Sequence, residues 1–121
     1  MSKSYIFSEV DDNFFETMHR IQDDYSEAVY EKTLLENGLS ILEKDLMRES
    51  AASVMHSTGA KSVPEFIQRR DAKADPRYKK AVLALAAAER NVVLLRGRLD
   101  SLKMQFESWR TRQANRRNGN G

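Results

Sequence analysis

Residues 78–109 read YKKAVLALAAAERNVVLLRGRLDSLKMQFESW. Alternating steps of three and four through this stretch land on Tyr78, Ala81, Leu85, Ala88, Val92, Leu95, Leu99, Leu102, Phe106 and Trp109. All of them are apolar or aromatic. A helix returns to the same face at those steps, so the ten side chains form one continuous stripe. A 3.5-residue repeat held over more than four heptads is the signature of a coiled coil and calls for left-handed supercoiling.

The same rule applied upstream finds a second stripe: Phe14, Met18, Ile21, Tyr25, Ala28, Lys32, Leu35, Leu39, Leu42 and Leu46. Lys32 is its one polar member. The two seams have nearly equal lengths, each roughly 46–48 Å at the helical rise. Equal seams joined by a short connection fold back as an antiparallel hairpin. The expected fold class is therefore all-α: a long antiparallel helical hairpin, coiled-coil-like, with a short helix at the turn. Phe14 would lie near Trp109, and Leu46 near Tyr78. No β-type alternation and no repeat beyond the heptads is present.

Boundary signals divide the chain as a single helical domain, 1–121. A long helix is expected over about 9–57, capped by Ser8 or by Asp11–Asp12, whose charges suit the positive helix end. Gly59 supplies its stop. A connector over about 58–75 holds a short helix, with Ser62 and Glu65 at capping-box spacing and Pro64 in the first turn. That helix has Val63, Phe66 and Ile67 to bury. Asp75 and Pro76 then read as the cap and first turn of a second long helix over about 76–113. A basic, flexible tail over about 114–121 is expected to follow. Gly38 lies inside the first helix as a tolerated weak spot, a close helix contact or a hinge.

Composition narrows the class further. The 121 residues include no Cys, which removes disulfides and thiolate metal sites and suits a reducing compartment. No apolar run reaches the length of a membrane helix, and the first residues do not resemble a signal peptide, so a cytoplasmic location is expected. The net charge of +2 hides a division. Residues 1–60 carry 5 Lys/Arg against 12 Asp/Glu, and residues 61–121 carry 15 against 6. The halves can lie against each other, and the basic half has charge to spare for an acidic partner.

A two-helix hairpin buries one narrow stripe, and small cores are hard to stabilise. Phe15, Val29, Leu34, Ile41, Met47, Val54, Met55, Val93 and Leu94 lie off the seams. Another copy of the chain is their natural cover, so a homo-oligomer is expected. The stripe members Phe14, Met18, Ile21, Leu35, Leu39, Leu42, Leu46, Leu85, Val92, Leu95, Leu99, Leu102, Phe106 and Trp109 form the expected core and oligomer seam.

Catalytic signals are weak. His19 and Asp23 stand four apart on one helical face, but two ligands make no metal site, and no cofactor or metal is expected. His56 beside Gly59 suits a helix end. The acids at 11–12 and 23–24, with Glu27 and Glu31, read as a solvated face, since catalytic carboxylates need a pocket to shift their pKa. No phosphate loop, nucleophile elbow or CxxC is present. The expectation is a protein without enzymatic activity.

The basic residues are the stronger signal. Arg69, Arg70, Lys73, Arg77, Lys79 and Lys80 crowd the connector and the next helix start; Arg110, Arg112, Arg116 and Arg117 follow Trp109. In a hairpin these are two separate basic regions, which oligomerisation would multiply. Phe66, Tyr78 and Trp109 lie close to these cations, and aromatic–arginine mixtures suit single strands. Core packing is the competing role for Tyr78 and Trp109. An acidic protein surface is the competing partner for the cations.

The stretch ADPRYKKAVLALAAAERNVVLLRGRLDSLKMQFESW, about residues 75–109, resembles the C-terminal helix of UvsY-like recombination mediators of bacteriophages. A "DPR" helix start leading into a long heptad helix with a basic finish carries the resemblance. It implies a small helical oligomer that binds single-stranded DNA, contacts the single-strand binding protein and helps load a RecA-type recombinase. The acidic first helix has no residue-by-residue counterpart. Two other classes stay open: a small phage anti-defence protein acting through its acidic helix, and a structural coiled-coil protein.

Overall fold

The computed structural model describes residues 10–119. Among them are three helices and no strand: α1 (Asp12–Thr58), α2 (Glu65–Ala74) and α3 (Pro76–Gly119). None of the described helices is long and apolar enough to cross a membrane.

Each boundary has a chemical cause. The Asp11 carboxylate accepts the Phe14 N–H at 3.0 Å and closes the free amino end of α1. Ser8, the other candidate cap, lies outside the described residues. At the far end Gly59 takes φ 75°, and its N–H donates to the Met55 carbonyl at 2.9 Å. A side chain is disfavoured in that left-handed conformation, which is why glycine ends this helix. The exposed His56 stands in the last turn. The Val54 carbonyl there accepts the hydroxyls of Ser57 and Thr58.

The turn into α2 differs from the expected capping box. The helix begins at Glu65, so Pro64 is the cap position, with φ −57° and ψ 141° and no side-chain capping bond. Ser62 is then two residues upstream of the cap, and Glu65 is the first helical residue rather than the third, so the reciprocal pair is not made. The Pro64 carbonyl accepts the N–H groups of Ile67 and Gln68, and the Gln68 side chain donates to the Val63 carbonyl at 2.8 Å. Phe66 is also corrected. It stays 70% exposed, while Val63 and Ala72 are buried and Ile67 is half-buried. A ten-residue helix has one covered face, and Phe66 points away from it.

Asp75 separates α2 from α3 by one residue. Its N–H donates to the Ala72 carbonyl at 3.2 Å, while its carboxylate accepts the Arg77 N–H at 2.8 Å. Pro76 sits first in α3, where its missing N–H costs nothing. At its other end α3 continues to Gly119, past the expected end near residue 113. Arg and Gln are good helix formers, and Arg116 and Arg117 in the last turn complement the negative end of the helix.

The described residues fall into two compact units. The first consists of the described parts of Met1–Ala28 and Asn91–Gly121. Its buried side chains are Phe14, Ala28, Leu95 and Leu99. Met18, Ile21, Tyr25, Val92, Leu102, Phe106 and Trp109 are half-buried around them. The second unit is Val29–Arg90. Leu46, Val63 and Ala72 are buried there, with Lys32, Leu35, Leu39, Leu42, Tyr78, Ala81, Leu85 and Ala88 half-buried. Every position of both heptad stripes is thus withdrawn from solvent to some degree. Off the stripes, Phe15, Val29, Leu34, Ile41, Val93 and Leu94 are exposed, whereas Met47, Val54 and Met55 are half-buried.

Candidate nucleic-acid interface

In the second unit the cations gather around α2 and the start of α3. Three of the expected contact residues are held by nearby acids. Arg69 pairs with Glu65 at 3.0 Å and Arg70 with Asp71 at 3.2 Å. Arg77 reaches Glu49 at 2.8 Å and Asp75 at 3.0 Å. The Arg77 hydrogen bonds hold the Asp75 carboxyl below its ordinary value, and Asp75 and then Glu49 push the Arg77 guanidinium further up. Asp71 is occupied on its other oxygen by the Ser50 hydroxyl at 2.9 Å. Arg77 therefore serves the join between α1, α2 and α3 before it can serve any ligand.

Lys73, Lys79 and Lys80 are exposed and make no ion pair with a described residue. Lys73 and Lys79, with Tyr78, Val82 and Leu83, line an open groove of about 420 Å³. Its lining is almost wholly apolar. Leu83 there is 71% exposed.

In the first unit the stripe ends in an aromatic cluster. Phe106 stacks on Phe14 with centroids 6.4 Å apart and on Trp109 at 6.0 Å, while Phe15 meets Phe106 edge-on at 5.9 Å. Phe14 thus touches the ring before Trp109 in the stripe. The Arg110 guanidinium lies 5.9 Å from the Phe106 centroid and pairs loosely with Glu107 at 3.5 Å. Glu107 thus gives Arg110 an acidic neighbour one helical turn away. Arg112, Arg116 and Arg117 are exposed.

A further interaction has no local signal in the sequence. Arg96 donates from Nε and Nη2 to the Tyr25 hydroxyl at 3.2 and 2.8 Å. Its guanidinium lies 5.8 Å from the centre of the Tyr25 ring. The hydrogen bond to Tyr25, with a smaller push from Asp100, raises the Arg96 pKa. The partners are far apart in sequence, and only the pairing of two stripes could have suggested them. His19 and Asp23 are both exposed, and no group of three metal-binding side chains occurs among the described residues.

No family model, curated protein or solved structure matches this chain.

Proposed function

We propose that this chain is a non-enzymatic single-stranded DNA-binding protein that acts as a phage recombination mediator. It would promote recombinase loading onto strands covered by single-strand binding protein, in the cytoplasm of the bacterial host. The observation that carries the binding role is the state of the cations. Lys73, Lys79, Lys80, Arg116 and Arg117 are exposed, and none has an ion-pair partner among the described residues. The pairs made by Arg69, Arg70 and Arg110 are largely exposed, and such pairs are weak enough for phosphates to replace. The mediator role rests on the resemblance of residues 75–109.

The architecture behind this role is an antiparallel hairpin assembled into a homo-oligomer. Three pairs support the hairpin: Phe14 with Phe106, Tyr25 with Arg96, and Glu49 with Arg77. Positions in α1 rise as their partners in α3 fall. The exposed Leu34, Ile41, Leu83, Leu94 and Met104 support assembly, since apolar surface of that kind seeks cover.

Ionic binding makes the test direct. Affinity for an oligonucleotide should fall about a hundredfold or more between 50 and 200 mM salt, through counterion release. Deleting residues 110–121 should remove most of it. An affinity indifferent to salt contradicts the mechanism.

A second reading has its own observation. Asp23, Asp24, Glu27 and Glu31 on α1 are exposed and make no ion pair with a described residue. They would form the contact face of an inhibitor that binds a basic protein. A chain that never retards DNA but captures a nuclease would favour it.

A further inference from the structure

We propose that the hollow beside Trp109 seats one nucleobase together with its phosphate; this deepens the single-strand reading and rests on it. The hollow measures about 690 Å³, and its walls include Phe106, Trp109, Arg110, Gln113 and Arg117, with Glu107 among them. The first five recur at helical spacing, so one face of α3 presents them together.

The aromatic part is a braced platform. Trp109 leans on Phe106 with planes 28° apart, and Phe106 in turn rests on Phe14 with planes 19° apart. Phe14 is 7% exposed, so the stack is anchored in the buried part of its unit. An indole fixed in this way can receive a base without first being ordered. Bases of every kind offer a flat π-face, and stacking is their sequence-tolerant contact with protein.

The polar part suits the rest of a nucleotide. Gln113 carries both a donor and an acceptor, so it can meet the edge of any base. Glu107 is the one acid in the lining and pairs only loosely with Arg110, so Arg110 and Arg117 together leave the hollow positively charged. Arg117 makes no ion pair with a described residue and is the cation open to the phosphate. An acidic peptide would use the arginines and leave the aromatic platform idle. The combination therefore favours a nucleotide over a carboxylate ligand.

Trp109 is the chain's single tryptophan, so its fluorescence reports on the hollow alone. The full chain is titrated with a thymidine oligonucleotide, with an abasic oligonucleotide of equal phosphate number, and with polyglutamate. Retardation on a gel is followed in parallel. The base-bearing strand should quench Trp109 and bind about tenfold more tightly than the abasic strand. Gln113→Glu and Arg117→Glu lie off the aromatic stack and should weaken the quench while the helical signal is unchanged. Equal binding of both strands without quenching overturns the base seat and leaves ionic DNA binding standing. Failure of both strands to bind overturns both readings, and displacement of the thymidine strand by polyglutamate overturns the choice of ligand.

Discussion

Asp75 performs three jobs with one residue. Its backbone ends α2, its carboxylate starts α3, and the same carboxylate holds Arg77. Arg77 keeps the carboxyl below its ordinary value near 3.8. A depressed folded-state pKa means that the contribution to stability is complete above about pH 4 and is lost as pH falls through the lowered value. Urea unfolding of Asp75→Asn should thus show a deficit at pH 7 that shrinks on acidification. A deficit that grows toward pH 2 would contradict the assignment. Two glycines make a second contrast. A methyl group on Gly38 meets nothing within 4 Å, so Gly38→Ala should stabilise α1 by about 1 kcal/mol. Gly59, at φ 75°, should lose about 1 kcal/mol or more on the same change. Chemical denaturation measures both, and equal signs would refute the reading. Gly38 is also not a close contact within this chain, which removes one of the roles its position suggested.

At the scale of the helix, the legible features were those written locally. The stripe of α3 could be read because its ten positions repeat every 3.5 residues, and burial follows that repeat from Tyr78 to Trp109. Asp75–Pro76 and Gly59 could be read because a cap and a stop each depend on one or two residues. The start of α2 was misplaced because Pro64 suits both the first turn and the cap position, and only the following backbone decides between them. Phe66 was misjudged because hydrophobicity does not tell which face of a short helix is covered. The tie from Arg77 to Glu49 joins residues far apart in the chain, and no local pattern encodes it. Of the candidate interface, the positions of the cations were legible, but their pairing was not. Removing packing should show the difference. Leu46, 3% exposed, should cost about 3 kcal/mol as Leu46→Ala. Phe66→Gln should stay within about 0.5 kcal/mol. A large loss at Phe66 in dilute solution would mean that this ring is covered by something outside the chain.

For the molecule as a whole, charge and apolar exposure make separate demands. Among the described residues, Glu49 with Arg77 is an ion pair that joins the acidic first half to the basic second half. Lys73, Lys79, Lys80, Arg116 and Arg117 are exposed, make no ion pair with a described residue and remain open to an external polyanion. Exposed apolar side chains ask for a second copy. Mass in solution should be a multiple of 13.9 kDa, and Leu94→Glu with Met104→Glu should lower it. Sedimentation of wild type at the mass of one chain, at micromolar concentration, would remove the oligomer from the proposal. Adding an oligonucleotide to the same sample asks whether DNA binding and assembly depend on each other.

The single-residue join at Asp75 has a consequence for rotation. Successive residues of a helix are set about 100° apart around its axis. Because Asp75 alone stands between α2 and α3, the azimuth of the apolar stripe is fixed where α3 begins. One residue inserted after Asp75 would turn Tyr78, Ala81 and Leu85 about a quarter turn away from their cover. An insertion of seven would nearly restore their direction. The join thus works as an indexing pin, and the chain can tolerate a change of length there only in steps that return the helix to its original phase.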